Sequence, residues 1–494
     1  MAQSKKTVSS RHKTALDLLV KELGTLKVIT EGNAKYMASF DSSKLSFPYD
    51  ALVLARSEKD VGTVLKLANE YKVPVTARGR GTSLTGSASP IKGGWVLDMM
   101  KLNKIVIKKE KSMAIAGPGA VVKDIQDAAE EEGLFYPPDP SSLKYCTIGG
   151  NVACNAGGLR GAKYGVTRDY VLALEGFLPT GEKVSWGGEY KKFATGYNVR
   201  DLWIGSEGTL GIVTKVVLKL IPKPPFKWTV VVAFESEDKA LAGVQEIAHL
   251  GLNPAILEYL DCNSIYCAED IGGVKLFKEV SGKPLLLIEF DGTKAKLKED
   301  RAATLKWAGE SGIAVKEAKN EKSAEVLWNV RRACSGAMFA LGNAKINEDI
   351  VVPLENQAKF ARFIGRLQKK WKLPMPTFGH AADGNFHVNI MFHREDEDEK
   401  RRAKGAVAEL MEKVVALKGI ISGEHGIGLA KTPFMSVARN PAEMAAMKAI
   451  KKALDPNGIL NPGKIFDVFE VWDKTPEKVG LPWDKKLPPG IKSL

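Results

Sequence analysis

The chain has 494 residues, of which 44% are hydrophobic and 26% are charged, so we expect a globular protein with two or three hydrophobic cores. Its 72 basic and 58 acidic residues give a formal charge of +14, but they are dispersed and no nucleic-acid-recognition motif accompanies them. No apolar run is long enough to span a bilayer, and no apolar segment follows the basic N-terminus. We therefore predict a cytoplasmic protein that attracts small anions and binds no nucleic acid, and peripheral attachment to the inner face of the membrane is left open.

The cysteines are odd in number and none belongs to a Cys-x-x-Cys pair; they are Cys146, Cys154, Cys262, Cys267 and Cys334. This pattern argues against a disulfide framework, a structural zinc site and an iron–sulfur cluster on this chain. If the protein handles electrons, it therefore needs another carrier.

The N-terminal part of the chain predicts a helix and then a β-α-β unit. Residues 9–23 have leucine and valine at helical spacing, which predicts an amphipathic helix. Residues 51–55 and 73–77 are short apolar runs that predict strands, and Ser57 begins a helix between them. This unit leads directly into a glycine-rich loop at 78–86.

The loop at 78–86 has glycines at 79, 81 and 86 and hydroxyl side chains at 82, 83 and 85. Bare backbone N–H groups and small hydroxyl donors suit a pyrophosphate, although a simple tight turn would explain the same residues. The spacing matches neither the Rossmann G-x-G-x-x-G motif nor a nucleoside-triphosphate loop. Any dinucleotide bound here is therefore held differently from NAD in a Rossmann domain.

Two further glycine-rich blocks follow, at 137–169 and 203–213. Glycine at this density costs backbone entropy on folding, so it indicates either close approach of a ligand or a set of sharp turns. An alternating strand at 213–220 comes next, followed by prolines at 222, 224 and 225. These prolines predict the clearest linker in the chain.

Four of the six histidines lie in one window of the C-terminal third, and two of these are in the stretch Phe378–Ile390. Within this stretch, Asp383-Gly384 is a turn dipeptide between two extended runs, which predicts a hairpin. The alternation of a strand would place His387 and Asn389 on one face. The turn would bring His380 opposite His387.

Glu424 would complete an N, N, O ligand set with His380 and His387, and a divalent metal bound there would keep open positions for water or substrate. His425 would lie beside the metal without binding it. Because Glu424 and His425 are neighbours in an extended, glycine-flanked loop, we expect their side chains to diverge. The alternative is that the histidines are ordinary core residues and that residues 423–426 form a flexible loop.

These blocks, together with the segment Leu454–Lys464, closely resemble the FAD-dependent D-2-hydroxy-acid dehydrogenases over roughly residues 45 to 466. This branch of the vanillyl-alcohol-oxidase-like flavoproteins includes D-lactate dehydrogenase, the FAD subunit of glycolate oxidase and D-2-hydroxyglutarate dehydrogenase. The resemblance implies an α+β fold. It consists of a two-subdomain FAD-binding domain of the vanillyl-alcohol-oxidase type and a cap domain with an antiparallel sheet and flanking helices.

The resemblance also implies where the parts of the chain belong. An N-terminal helical segment, the FAD-binding domain, the substrate or cap domain, a C-terminal return to the FAD-binding domain and a tail with Pro and Trp are expected at 1–45, 46–222, 223–440, 441–466 and 467–494. Since the first glycine-rich loop contains no His, FAD is expected to be non-covalent. The implied FAD contacts are Arg78, Gly79, Arg80, Gly81, Thr82, Ser83, Gly86, Pro140, Ser141, Gly149, Gly150, Asn155, Gly157, Gly158, Glu207, Gly208, Gly211, Ile212, Val213 and Asn461.

In the cap, the resemblance implies that His380, His387 and Glu424 bind a divalent metal, zinc or manganese, and that His425 is the base. Arg331 corresponds to the Arg that binds the substrate carboxylate.

Two more residues are similar to substrate contacts of the family: Ser335, one helical turn after Arg331, and Asn389. Arg332 adjoins Arg331, so the choice between the two rests on the resemblance. Where hydroxyglutarate enzymes have a Lys for the second carboxylate, this chain has Asn347, which favours a short monocarboxylate.

The implied reaction is oxidation of a D-2-hydroxy acid, D-lactate or glycolate, to the 2-oxo acid, with hydride passing to the flavin. The metal would lower the pKa of the substrate hydroxyl, and His425 would take its proton. Electrons would then reach a quinone, a cytochrome, an electron-transfer flavoprotein or an iron–sulfur subunit, and a homo-oligomer is left open. The alternatives are a D-2-hydroxyglutarate dehydrogenase, an alkylglycerone-phosphate synthase, and a basic non-enzymatic protein that binds nucleic acid or membrane.

Overall fold

The computed structural model describes residues 10–277 and 279–474. The chain forms two compact units: the first combines an N-terminal part, a middle stretch and a C-terminal return, and the second is mainly one continuous stretch. From position 475 onward the predicted tail lies outside the described residues.

The first unit gives way to the second after Lys223, close to the predicted proline linker. The second unit ends at Gly423 and the chain belongs to the first unit again from Glu424, which is earlier than the return expected at 441–466. A short piece, Gly157–Gly165, also belongs to the second unit, although it was expected within the FAD-binding domain.

The strands of the first unit form a four-stranded sheet, a five-stranded sheet and a two-stranded ribbon, and those of the second form one seven-stranded sheet. The first unit contains β1 (Val28–Ile29), β2 (Ala51–Leu54), β3 (Val75–Arg78), β4 (Trp95–Asp98), β5 (Ile105–Lys108), β6 (Met113–Ala116), β7 (Leu134–Phe135), β8 (Val171–Phe177), β9 (Lys183–Gly187), β10 (Ile212–Lys219) and β11 (Ile221–Pro222). The second contains β12 (Phe226–Ala233), β13 (Ile256–Leu260), β14 (Leu285–Gly292), β15 (Ala314–Glu317), β16 (Ala344–Val351), β17 (Thr377–His380) and β18 (Asn385–Phe392).

The α-helices are numbered in chain order, and α6 and α8 to α13 belong to the second unit. They are α1 (Ser10–Leu23), α2 (Asn33–Met37), α3 (Glu58–Tyr71), α4 (Val122–Glu131), α5 (Ile148–Cys154), α6 (Gly161–Tyr164), α7 (Val199–Trp203), α8 (Glu237–His249), α9 (Cys262–Tyr266), α10 (Lys294–Ser311), α11 (Glu321–Ala337), α12 (Gln357–Trp371), α13 (Glu397–Ala416), α14 (Met435–Ala438) and α15 (Pro441–Leu454). Within the part of the chain that the structure describes, none of these helices is long and apolar enough to cross a bilayer.

The four-stranded sheet of the first unit contains the predicted β-α-β unit. β2 and β3 both pair with β4 in parallel, and α3, which connects β2 to β3, begins with a capping box formed by Ser57 and Asp60. From the far end of the chain, Leu460 forms a parallel bridge to Val75 and so extends this sheet beyond β3. The five-stranded sheet is antiparallel, in the order β5-β6-β10-β8-β9, with the predicted strand at 213–220 as its central β10.

The seven-stranded sheet of the second unit, in the order β15-β12-β14-β13-β17-β18-β16, is antiparallel throughout. α9 and α11 cover one face and join its side chains in a buried apolar cluster. α8, α10, α12 and α13 pack on the opposite face, where Phe360 of α12 contacts Phe386 of β18. An antiparallel sheet with flanking helices is the arrangement expected for the cap domain.

The predicted hairpin is β17 and β18, but its register differs from the expected one. Phe378 pairs with His387 and His380 pairs with Asn385, so the two histidines are diagonal neighbours on one face. Direct pairing of the histidines would leave residues 381–386 as the connection between the strands, whereas the actual connection is 381–384. The shorter connection is possible because Gly384 turns the chain at a φ of +81°, which glycine adopts without strain. The shared face was predicted correctly, and direct pairing of the histidines was wrong.

Asp261 follows β13 and is buried beside a second carboxylate, Glu237 of α8. Its Oδ1 accepts a hydrogen bond from the N–H of Ser264 at 2.7 Å and so caps α9. Burial, together with the nearby charge of Glu237, raises the pKa of Asp261 to about 7. The native protein therefore holds a proton here at a pH where exposed carboxyl groups are ionised.

We expect the Asp261→Asn variant to differ from wild type in the pH dependence of its stability. Asn keeps an acceptor for the Ser264 N–H but cannot titrate. Because the native pKa of about 7 lies above the ordinary value of 3.8, the wild-type native state binds more protons than the unfolded state between these values, and its free energy of unfolding falls as the pH rises through that window. The variant lacks this decline, so its relative stability rises from about pH 4 to about pH 7 and then stays level. Thermal unfolding across this range measures the effect, and a difference that does not change with pH would contradict it.

Candidate active site

The candidate site of the second unit is built around Glu258, a fully buried carboxylate in β13. Its Oε1 contacts Nδ1 of His380 on the neighbouring strand β17, and its Oε2 accepts a hydrogen bond from Nε of Arg331 at 2.6 Å. Burial alone would raise the pKa of Glu258, but its interactions with His380 and Arg331 lower it to about 2. The ionised carboxylate thus links two residues to which the resemblance gives different roles.

Arg331 and Arg332 are adjacent in α11, but their side chains lie on different sides of the helix. The Arg331 side chain is 13% exposed, and the centre of its guanidinium lies 3.8 Å from the ring centre of Phe378. Arg332 is about half exposed and donates hydrogen bonds to Glu325 and Asn329 of its own helix. Arg331 is therefore the arginine that packs against the sheet.

His380 and His387 lie side by side on one face of the seven-stranded sheet, each 6% exposed, with ring centres 5.3 Å apart. Glu424 is joined by a single peptide bond to Gly423, the last residue of this stretch of the second unit. The candidate ligand atoms of His380, His387 and Glu424 all lie within 4.8 Å of one another. Two imidazoles and one carboxylate at this spacing form a donor set that fits a divalent metal such as zinc or manganese.

Asp349, fully buried in β16, holds the chain just before Glu424. Its carboxylate accepts hydrogen bonds from Ser422 Oγ at 3.1 Å, from the Gly423 N–H at 3.0 Å and from Asn385 Nδ2 at 2.7 Å. A Cβ on Gly423 would lie 2.5 Å from Asn385 Nδ2, so glycine is needed for this close approach. The start of the Glu424 loop is therefore fixed by a buried carboxyl group.

Asn389 is fully buried in β18, and its side-chain amide forms hydrogen bonds within the sheet. Its Oδ1 accepts a hydrogen bond from Asn347 Nδ2 at 2.8 Å, and its Nδ2 donates to the carbonyl oxygens of Pro376 and His387. Ser335 is half-buried on α11, one turn after Arg331. Asn347 and Asn389 thus form one polar pair on the face that also carries His387.

His425 belongs to a loop of the first unit that the buried Glu207 holds. Glu207 accepts hydrogen bonds from the backbone N–H groups of Ile427 at 2.7 Å and Gly428 at 2.8 Å. Nε2 of His425 lies 3.8 Å from Oε1 of Glu424, so the two side chains lie close together and the expectation that they diverge is wrong. The reason is that the loop bends, with Gly426 at a φ of +79°, instead of running extended.

Three of the side chains expected to contact FAD form hydrogen bonds within the first unit. Glu207 holds the His425 loop, and Asn461 Nδ2 donates to the carbonyl oxygens of Ser87 at 2.8 Å and Glu207 at 2.7 Å. Arg78 is 8% exposed and donates to the Met37 carbonyl oxygen at 3.2 Å. These side chains shape the glycine-rich loops.

The remaining residues of the expected FAD set differ in exposure. Arg80, Ser141 and Gly150 are exposed; Gly79, Thr82, Ser83, Gly149, Asn155, Gly208 and Val213 are partly exposed; Gly81, Gly86, Pro140, Gly211 and Ile212 are buried. Gly157 and Gly158 are buried and belong to the second unit. The accessible members supply mainly hydroxyl groups and backbone N–H groups.

The loops of the first unit fit an anionic dinucleotide. A Cβ on Gly79 would lie 2.2 Å from Thr147 Oγ1, so the first two glycine-rich blocks are in direct contact. Among the described residues of these blocks, Arg78 Nη1 and Asn151 Nδ2 are buried donors without a hydrogen-bond partner. Unpaired buried donors beside accessible hydroxyl and N–H groups suit the phosphates and ring edges of FAD.

Glu258, Asp349 and the interior role of Glu207 were not predicted from the sequence. A single carboxylate in the apolar run Ile-Leu-Glu-Tyr-Leu at 256–260 is the one feature that could have indicated Glu258, because a charge in a buried strand requires a partner. Nothing comparable marks Asp349, which follows another acidic residue, Glu348.

Two family models match the chain, FAD binding domain over residues 49–187 and FAD linked oxidases, C-terminal domain, over residues 223–465. A Bacillus subtilis (strain 168) protein, glycolate oxidase subunit GlcD, is 40% identical over 420 residues, which cover 84% of this chain and 89% of that protein. A D-lactate dehydrogenase of Anaerostipes hadrus is 38% identical over 430 residues, with coverage of 84% and 89%.

Solved structures show the same fold at low identity. p-Cresol methylhydroxylase with substrate bound has a TM-score of 0.76 at 18% identity, over 94% of this chain and 98% of that chain. An alkyldihydroxyacetonephosphate synthase has a TM-score of 0.70 at 18% identity, over 90% and 84%. At this identity the likeness concerns the fold alone, which is of the vanillyl-alcohol-oxidase type.

The sequence relatives, unlike the structural ones, share a third or more of their residues with this chain over most of their length. Their alignments span both units, and the two matching family models both describe FAD proteins. The chain therefore belongs to the family of FAD-linked oxidases that includes these glycolate oxidase subunits and D-lactate dehydrogenases, and it is an FAD-dependent oxidoreductase.

Proposed function

We propose that the protein oxidises a short D-2-hydroxy acid, D-lactate or glycolate, to the 2-oxo acid and passes the electrons through FAD to a separate acceptor. The observation that carries the proposal is the link, through Glu258, between a guanidinium suited to a carboxylate and a histidine suited to a metal. The names of the relatives, glycolate oxidase subunit GlcD and D-lactate dehydrogenase, support the same substrates.

Arg331 binds the substrate carboxylate in this proposal. Its Nε donates a hydrogen bond to Glu258, so the two Nη groups are the donors for the substrate. Packing on Phe378 limits rotation of the guanidinium plane. Two parallel N–H donors suit one carboxylate. The neutral pair of Asn347 and Asn389 offers no cation for a second carboxylate, which favours a short monocarboxylate over 2-hydroxyglutarate.

His380, His387 and Glu424 hold a divalent metal, zinc or manganese, which when bound lowers the pKa of a coordinated hydroxyl group. FAD, held without a covalent bond by the glycine-rich loops, supplies a two-electron acceptor when bound. His425 takes the hydroxyl proton as the general base. The position of its ring beside the proposed metal ligand Glu424, with Nε2 3.8 Å from Oε1, supports this role.

The electron acceptor is a separate molecule. Among the described residues, which include all five cysteines, no disulfide joins two of them, and their spacing does not suit an iron–sulfur cluster. A quinone, a cytochrome, an electron-transfer flavoprotein or an iron–sulfur subunit would accept the electrons. The Bacillus subtilis relative is named as a subunit, which favours a partner chain.

Anaerobic titration of the purified yellow protein tests the substrate class. We expect D-lactate or glycolate to bleach the flavin absorbance rapidly, because each has one carboxylate for Arg331 and one hydroxyl on the adjacent carbon. When its carboxylate and hydroxyl are held in the same way, L-lactate presents its C2 hydrogen on the opposite face from D-lactate, so it is expected to react slowly. D-2-hydroxyglutarate is also expected to react slowly, because it has a second carboxylate. Bleaching by D-2-hydroxyglutarate alone, or by none of these acids, would contradict the proposal.

Replacing His425 by Ala is expected to reduce kcat far more than it changes KM. Loss of a general base costs about a hundred- to ten-thousand-fold in rate, whereas Arg331 and the metal ligands still bind the acid. The matched control is His393→Ala, since the side chain of His393 is exposed and its ring contacts Glu399 of α13. Steady-state kinetics with metal content measured in parallel provide the test. Near-normal turnover, or loss of metal together with activity, would refute the assigned role.

Removal of the metal is expected to abolish reduction of an artificial dye acceptor without releasing FAD, because the ligands His380 and His387 lie outside the glycine-rich loops of the first unit. His387→Ala should behave in the same way as chelated wild type. Dialysis against a chelator, followed by metal analysis, flavin absorbance and dye reduction, measures all three quantities. Full activity in metal-depleted protein would disprove the metal site.

A further inference from the structure

Glu258 occupies a position that is costly for a carboxylate. It is fully buried in a strand whose other residues, Ile256, Leu257, Tyr259 and Leu260, are apolar or aromatic. An isolated charge in such a place would destabilise the fold, so its partners must compensate for the lost water. Each oxygen has a different partner: Oε1 contacts His380, and Oε2 accepts from Arg331.

The contact with His380 decides which ring nitrogen of this histidine is available to a metal. A carboxylate accepts hydrogen bonds and cannot donate them, so Nδ1 of His380 carries the proton. The lone pair then lies on Nε2, and the carboxylate fixes the orientation of the ring. Any metal bound by His380 is therefore bound through Nε2.

The contact with Arg331 fixes the orientation of the guanidinium that binds the substrate carboxylate in the proposed function. Its Nε is held by Glu258 at 2.6 Å, and its guanidinium packs 3.8 Å from the ring centre of Phe378. Phe378 pairs directly with His387, the other imidazole of the metal set. The orientations of the guanidinium and of both imidazoles thus depend on the same small group of side chains.

We propose that Glu258 is a positioning residue that couples the carboxylate-binding Arg331 to the metal ligand His380, so that metal affinity and substrate affinity change together when it is altered. The inference rests on the proposed function for the roles of Arg331 and His380. It goes beyond that function by making the two binding sites interdependent through one side chain. Glu258 itself touches neither the metal nor the substrate in this scheme.

Glu258→Gln is the direct test. A Gln side chain has one acceptor oxygen, so it can accept from His380 or from Arg331 but not from both with the original geometry, and its NH2 group faces another donor. We expect zinc affinity, measured by competition with a chromophoric chelator, to fall about 10- to 100-fold, and KM for the hydroxy acid to rise in the same variant. The chelator measurement needs no turnover.

Glu289→Gln is the matched control. Glu289 is also a buried carboxylate, on the adjacent strand β14, and accepts hydrogen bonds from Thr229 and from Trp328 of α11, the helix that carries Arg331. A purely structural role for Glu258 would make the two variants alike in thermal stability, zinc affinity and KM. Equal zinc affinities in the two variants, with wild type binding zinc and oxidising its substrate normally, would overturn the inference and leave the proposed function intact.

The wild-type protein provides a readout if Glu258→Gln does not fold. Nitrogen-15 NMR of labelled histidine distinguishes the two neutral tautomers, and comparison with the His380→Asn spectrum assigns the signals. The inference requires the proton of His380 on Nδ1. A proton on Nε2 would refute it, and wild-type protein that binds no zinc at all would refute both the inference and the metal part of the proposed function.

Discussion

The candidate site depends on one buried polar network, in which the Glu258 carboxylate lies between His380 and Arg331. Taking a carboxylate out of water costs several kcal/mol, and only close, well-oriented partners recover that cost. Because those partners are the metal ligand and the carboxylate-binding arginine of the proposed function, the compensation that stabilises the fold also orients the site. Stability and function therefore constrain the same three side chains.

The antiparallel register places further polar groups on the same face of the sheet. His387 pairs with Asp349 and Asn389 pairs with Asn347, so β16 and β18 together present a polar row. Two buried carboxylates then hold the loop that bears Glu424 and His425 by accepting backbone N–H groups. Asp349 does so at Gly423, and Glu207 does so at Gly428.

Local patterns in the sequence predicted a large part of this architecture. The capping residue Ser57, the strand at 213–220 and the alternation after Gly384 all act over a few residues, and each led to the correct element. The motifs in combination also indicated the family that the relatives confirm. The shared face of His387 and Asn389 follows from the period of a strand alone.

What the sequence did not predict depends on contacts between distant segments. The hairpin register depends on the length of the connection, and the different environments of Arg331 and Arg332 depend on the face by which α11 packs on the sheet. Glu207 lies in a glycine-rich block that suggests a ligand, yet it accepts hydrogen bonds from the backbone of Ile427 and Gly428, which are 220 and 221 residues away in the chain. Pairings of this kind leave no periodic pattern.

Diffraction from metal-loaded crystals, recorded at the absorption edge of zinc, tests the central claim most directly. A buried Glu258 shared by His380 and Arg331 predicts an anomalous peak at Nε2 of His380, within coordination distance of His387 and Glu424, with Glu258 still on Nδ1. A peak bound through Nδ1 of His380, with Glu258 displaced, or a peak remote from these residues would contradict it.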